Sequence, residues 1–398
     1  MLKELYENRK KAWIIFECII CILIFVVTLR LFYYQITDSE VFPSDTHAHI
    51  GFALRGVGYS YLMPAIGIIM NSFGKYGYVA VAVFEALAII TTIYVSKRTI
   101  MYCGKISEKP AFVISVSLVF LSSLYIPVLQ PLFYKSGIVS QPWHNITYIF
   151  MRLFAVLTIA GTWYTLSKYQ ECLTMKEWGG IAIPLCLSTA VKPSFLIGYS
   201  WALLLFLIID VIRERFAPHA FVQCIKLGTS VFPSLIIMYF QATDHLYKPG
   251  GESGIEFSLM SSKFFSFGFT GTIIKLIRGL LLVSIVVFYN RKRLIKEEYF
   301  IIAQYLMSLF VLIFFHETGK RASAGNFAWG IYSAGYLLMA FAWTRLVNNY
   351  SAVSMRGKKL STHEKCYFVI CTFLSVWHVA SGIAYFTILS MGGRLSGL

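Results

Sequence analysis

Apolar runs of membrane-spanning length follow one another along almost the whole chain, separated by short segments where charged, aromatic and small residues gather. A helix rises about 1.5 Å per residue, so roughly 17–25 apolar residues cross a hydrocarbon core about 30 Å thick. Runs that reach or approach this length lie at 13–34, 76–96, 110–127, 146–167, 178–191, 195–212, 221–241, 269–289, 299–315, 327–346 and 366–390. They predict about 11 transmembrane helices, of which 178–191 is the shortest. The first run is longer than the apolar part of a signal peptide and has no small-residue cleavage site, so it predicts a retained helix. The expected fold is an all-α, polytopic membrane helix bundle forming one domain over 1–398.

The segment 35–75 is too long for a simple connection and predicts a first extracytoplasmic loop. Its second half, GYSYLMPAIGIIMNSFGKYG, is apolar but short, and Pro64 interrupts it. It reads as an interfacial helix against the outer leaflet, with a re-entrant hairpin as the alternative.

Composition agrees with a membrane protein. The 398 residues are 57% hydrophobic and only 14% charged, whereas a soluble domain carries about 25% charged residues. The net charge of +16 would suggest nucleic acid in a soluble protein, but its placement argues otherwise. The segments MLKELYENRKK, SKRTIMYCGKISEK, SKYQECLTMKE, IRERFAPHA, NRKRLIKEE and NNYSAVSMRGKKLSTHEK fall on one side of the predicted bundle and hold more than half of the 35 Lys and Arg. By the positive-inside rule that side is cytoplasmic, which places the amino terminus inside and the carboxyl terminus outside. Anionic membrane lipids, and no nucleic acid, are the partners this charge implies. The eight cysteines lie in spans or cytoplasmic segments and form no disulfide pattern.

Polar side chains with chemical potential gather on the opposite, extracytoplasmic side. Asp45, His47 and His49 in DTHAH combine carboxylate and imidazole, the composition of a divalent cation site for Mg or Mn, and Asp45 alone could serve as a general base. A soluble metal-dependent amidohydrolase shares this motif, but it needs alternating strands and helices that do not follow here. Headgroup-level polar residues on an interfacial helix are the structural alternative.

A first helix, a long outside loop with an acidic residue near its start, the segment YSYLMPAIGIIMNSFG, the turn KYG and a span ending in Lys97 and Arg98 together resemble the GT-C superfamily of integral membrane glycosyltransferases. The resemblance covers the first hundred residues or so, and the remainder by helix count only. It implies a lipid-linked sugar donor on polyprenyl phosphate or pyrophosphate, a glycan, lipid or protein acceptor, and a role in cell-surface glycan assembly. It also implies a catalytic role for Asp45. The acidic pair usual in that loop is replaced here by one Asp and two His.

Further candidates lie at the same side. Trp143, His144 and Asn145 stand at a helix entry, where Asn145 or His144 suits a cap and Trp143 suits an aromatic belt. Arg152, seven residues on, needs an anion, a carboxylate or a route to the surface. Lys192 precedes Pro193 at another helix end. Lys275 and Arg278 share a helix face, suited to a phosphate leaving group or to snorkelling. HETGKRASAGNFAWG supplies Glu317 as a second candidate base, Lys320 and Arg321 for phosphate, and Asn326 and Trp329 for a sugar. Glu85, within a span, predicts a structural ion pair with Arg30 or Arg152. The expected function is thus a GT-C-like transferase. A lipid-linked polysaccharide polymerase and a transporter or flippase are the alternatives.

Overall fold

The computed structural model describes residues 2–58, 60–128, 142–245, 254–258, 268–319, 325–355 and 359–392. Among them run α1 (Leu2–Thr37), α2 (Thr46–Leu54), α3 (Leu62–Phe73), α4 (Gly77–Gly104), α5 (Glu108–Val119), α6 (Ile146–Leu166) and α7 (Met175–Val191). There follow α8 (Ser194–Arg213), α9 (Pro218–Gly228), α10 (Phe232–His245), β1 (Ile255–Phe257), α11 (Gly268–Asn290), α12 (Lys296–Phe314), β2 (Phe315–Glu317), α13 (Ala328–Met355) and α14 (Thr362–Ser390). The two short strands pair antiparallel, with Ile255 opposite Glu317. The architecture is all-α, a polytopic membrane bundle.

Among the described residues, eight stretches are long and apolar enough to cross a membrane: Lys10–Thr37, Leu62–Gly104, Ile146–Leu166, Ser194–Arg213, Pro218–Thr243, Phe269–Asn290, Lys296–Phe314 and Thr362–Ser390. Their outward faces are apolar. On α1, Ile15, Ile19, Ile22, Leu23 and Val26 are all exposed, the pattern of a helix solvated by lipid.

Three of the eleven expected spans do not meet that standard. The run at 178–191 belongs to α7, which has 17 residues and contains Pro184. That at 327–346 belongs to α13, which is 28 residues long but carries buried Ser333, Gly335 and Thr344 on faces turned toward other helices. It packs against α12, α8, α5 and α11, so its sequence answers to helix contacts rather than to lipid. The run at 110–127 breaks after α5, which spans only 12 residues.

The break is held by distant side chains. Backbone carbonyls freed at 120–125 need partners in a bundle without water. His378 Nδ1 donates to Ser122 O at 2.5 Å, Trp377 Nε1 to Tyr125 O at 3.2 Å and Arg278 Nε to Leu124 O at 2.5 Å. Ser381 Oγ accepts from Tyr125 N at 3.1 Å. Gly382 makes the close approach possible, because a Cβ there would lie 1.6 Å from Phe120 O.

The expected outside loop folds as α2 and α3. α3 turns Leu62, Met63 and Ile66 inward and leads through a 3-10 turn at Gly74–Tyr76 into α4. Gly74 takes φ 51° at that junction, a left-handed conformation that glycine adopts without strain.

Side-chain contacts sort many of the helix ends into two groups. One group holds most of the ion pairs. Lys97 Nζ meets Glu17 at 2.6 Å and Glu108 at 2.7 Å, Lys168 meets Glu177 at 2.6 Å, and Lys296 meets Asp210 at 2.6 Å. Arg345 binds Glu298 through two nitrogens. The other group gathers the amino-terminal ends of α2, α6, α8 and α13, and it carries most of the chemical candidates.

Candidate functional site

Asp45 stands at the amino-terminal end of α2, exposed, yet fixed from two directions. Its backbone N–H donates to His144 O at 2.9 Å. Its Oδ2 accepts from Asn145 Nδ2 at 3.0 Å. Asn145 can only be turned this way because its other amide atom is occupied. As the cap of α6, its Oδ1 accepts from Tyr148 N at 2.9 Å and from Thr147 Oγ1 at 2.5 Å. One residue thus caps a helix and orients a carboxylate.

The network continues to a cation. Lys192, 2% exposed, donates from Nζ to Thr147 Oγ1 at 3.2 Å and lies 4.9 Å from the Trp329 ring. Asp45, Asn145, Thr147 and Lys192 therefore form one hydrogen-bonded row. Beside it, Ser194 Oγ donates to Asn326 O at 2.9 Å, and Asn326 Nδ2 donates to both Glu317 oxygens at 3.0 and 2.8 Å. Gly330 lets α13 approach this corner, since a Cβ there would lie 2.6 Å from Ser194 O.

Arg152 lies one turn beyond Tyr148 on α6. Its guanidinium is 5.7 Å from the Tyr148 ring and 4.8 Å from the Tyr336 ring, and Tyr148 itself packs on Trp329 at 5.1 Å. Arg152 is 1% exposed, and its Nε and Nη2 have no hydrogen-bond partner among the described residues. The Tyr148 hydroxyl, beside Arg152, has no hydrogen bond of ordinary geometry among the described residues. A guanidinium stripped of water and given no acceptor is costly. An anion between these rings would remove that cost.

The electrostatics keep both nearby imidazoles neutral at pH 7. Burial lowers His49 from 6.5 to about 4, helped by Lys192 and opposed by Asp45. Burial lowers His144 to about 4 as well, against the opposing effects of its bond to Pro43 O and of Asp45. His144 acts as a brace: Nδ1 meets Pro43 O at 3.1 Å and Nε2 meets the Tyr385 hydroxyl.

The DTHAH motif does not converge on one point. It forms the first turn of α2, where residues two apart diverge. His47 Nδ1 pairs with Ile36 O at 2.9 Å, and Thr46 Oγ1 donates to Glu85 Oε1 at 3.0 Å. Among the described residues no group of three His, Cys, Asp or Glu could hold a metal ion. Asp45 and His49, one turn apart, are the most this motif offers a cation.

Other candidates fall elsewhere. Trp143 is fully buried among Phe32, Phe120 and Phe386, so it is a core side chain rather than a sugar platform or belt residue. Arg278, 2% exposed, holds the broken end of α5, and Lys275 is half-buried one turn away on α11. Glu85 meets Thr46, in place of the expected Arg30 or Arg152; Arg30 lies over the Tyr34 ring at 5.6 Å. Lys320 and Arg321 lie outside the described residues. Sequence reasoning did not single out Thr147, Tyr148 or Tyr336. For Tyr148 a signal existed, its four-residue spacing from Arg152 on one helix face. No protein-family model matches the chain, and no curated protein matches its sequence.

Proposed function

We propose that this chain is a GT-C-like glycosyltransferase that moves a sugar from a polyprenyl phosphate or pyrophosphate donor to an acceptor at the extracytoplasmic membrane face. The observation that carries this reading is the row from the Asp45 carboxylate through Asn145 and Thr147 to the Lys192 ammonium. A transfer of this kind needs a base and a cation a few ångströms apart, one for each end of the displacement.

In this reading the acceptor hydroxyl attacks the anomeric carbon of the sugar and gives its proton to Asp45, whose Oδ1 is not taken by Asn145. The new glycosidic bond forms as the bond from the anomeric carbon to the phosphate oxygen breaks. The electron pair leaves on the phosphate, whose added charge Lys192 and Arg152 stabilise. Trp329 and Asn326 border the sugar, and Glu317, bound by Asn326, is the second carboxylate of the site. Lys320 and Arg321 belong to the segment that joins Glu317 to Asn326. No step is routed through a metal ion. The basic helix ends lie opposite Asp45, which supports a cytoplasmic amino terminus by the positive-inside rule.

The test is Asp45→Asn in proteoliposomes supplied with polyprenyl-linked sugars and candidate acceptors. Loss of a positioned general base lowers transfer by about 10²–10⁴-fold. Full activity in the variant would remove Asp45 from the mechanism. If the same vesicles move lipid or solute across the bilayer and form no glycosidic bond, the protein is a transporter and the transferase reading fails.

A further inference from the structure

A cavity of about 270 Å³ opens between α4, α6, α12 and α13, at the end of the bundle remote from Asp45. Its floor is the pair Ser96 Oγ and Tyr336 Oη, 2.8 Å apart. Its walls are apolar, with Ile100, Val156, Ile159, Leu337 and Phe341 among them. Apart from the floor pair, Thr99 and Thr344, the polar groups are those of the mouth, where Lys105, Glu298, Arg345 and Asn348 line it.

The mouth carries a net positive charge. Arg345 and Glu298 neutralise one another. Lys105 is exposed and takes part in no ion pair among the described residues. It occupies the left-handed cap position after α4, with φ 51°, where glycine is the usual residue. Asn348 Nδ2 already donates to Gly104 O at 2.8 Å, which ties the mouth of α13 to the end of α4.

Shape decides the occupant. From Lys105 to Ser96 the cavity follows nine residues of α4, a depth of about 13 Å. Its volume spread over that depth gives a section of about 20 Å², the width of one hydrocarbon chain. An engineered cavity of about 150 Å³ admits benzene, so this one has room for a chain segment of roughly ten carbons. A free phosphate would leave the apolar depth unfilled, and a neutral lipid would leave the Lys105 charge unused. Basic pockets between membrane helices suit anionic headgroups.

We propose that this cavity holds one acyl chain of an anionic membrane lipid, with the headgroup phosphate at Lys105. The cavity shares no residue with the Asp45 row, although its floor residue Tyr336 also borders Arg152 at 4.8 Å, and the proposal does not depend on the transferase reading.

The experiment uses the full chain in nanodiscs that contain a phosphatidylglycerol carrying a photoreactive diazirine on one chain. After irradiation, cross-linked peptides are mapped by mass spectrometry. Adducts are expected on the lining peptides of α4 and α13, at least fivefold more than with the phosphatidylcholine analogue. Lys105→Glu should lower them about fivefold, and Ala340→Trp, which fills the slot, should abolish them. Lys105 is at the surface, so its variant tests the proposal even if the Trp variant does not fold. Equal yields from the two lipids, yields unchanged by Lys105→Glu, or adducts confined to outward residues such as Ile19 and Leu23 would each overturn it. Competition by soluble glycerol phosphate would also overturn it, by showing a small-anion site.

Discussion

Asn145 performs two jobs with two atoms, and a pair of substitutions separates them. Its Oδ1 caps α6 through Tyr148 N and receives Thr147 Oγ1, while its Nδ2 holds Asp45. Serine at this position keeps a cap acceptor, because Ser and Asn are near equals as caps. Its hydroxyl is too short to reach the Asp45 carboxylate from the cap position. Alanine removes both functions. Capping is worth about 1 kcal/mol. Thr147 is fully buried, so its stranded hydroxyl adds a further cost of about 1–3 kcal/mol. Asn145→Ala should therefore lose about 2–4 kcal/mol of stability, and Asn145→Ser less than about 1. A hydrogen bond to a charged group contributes about 1.5–3 kcal/mol when shielded. Asp45 is exposed, so about 1 kcal/mol is the appropriate scale for its orientation, a fivefold effect on rate. Scanning fluorimetry in detergent and transfer assays in proteoliposomes measure the two quantities on the same preparations. Asn145→Ser should melt close to wild type and transfer about fivefold more slowly. If it transfers at the wild-type rate, Asp45 is not positioned by Asn145. If it melts as low as Asn145→Ala, the cap geometry described above is wrong.

Lys192→Met should lower transfer by about 10²–10³-fold, the usual effect of removing one donor to a developing oxyanion, and single-turnover kinetics with saturating donor would show it; an unchanged rate would remove Lys192 from the leaving-group site. Gly382→Ala forces a methyl group against Phe120 O, which a Cβ there would approach to 1.6 Å, and should destabilise the fold by about 1–3 kcal/mol; an unchanged melting temperature would mean that the break after α5 is not pinned against α14. Burial holds His49 and His144 at about 4 in the folded protein, against 6.5 for free imidazole. Between pH 6.5 and 4 the unfolded chain takes up protons that the folded chain refuses, so stability should fall as pH is lowered through that window, by about 2 kcal/mol per histidine at pH 5. His49→Asn should flatten the pH dependence of the melting temperature. A variant that retains the full slope would place the titration elsewhere.

Eight helices could be read from hydropathy because lipid contact imposes a simple rule, apolar over some 20 residues. Where a helix answers to other helices the rule weakens. α13 tolerates Ser333 and Thr344 because they face protein. The apolar run 110–127 looks continuous in sequence, yet its backbone leaves the helix after Val119. His378, Trp377, Ser381 and Arg278 supply the missing partners from positions more than 150 residues away. No local pattern announces such partners. The same contact engages Nε of Arg278, which shares a helix face with Lys275 in sequence.

At the Asp45 end, side chains from separate helix ends meet while the residues of DTHAH spread apart. DTHAH suggested a metal through composition, but spacing of two residues brings ligands together on a strand and separates them on a helix, and the helix places His47 against Ile36 O. Asp45, Asn145, Lys192, Asn326 and Trp329 share no motif and come from four separate helix ends. They meet because alternate helices begin at the same side, a consequence of connecting spans by short segments. That side is poor in Lys and Arg overall, so the cations that do occur there are not needed for orientation in the membrane. Lys192 and Arg152 are nearly buried, set against the Trp329, Tyr148 and Tyr336 rings and, for Lys192, bonded to Thr147 Oγ1. In the proposed transfer, the donor phosphate enters between Trp329 and the tyrosine rings and supplies the negative charge that these two cations face.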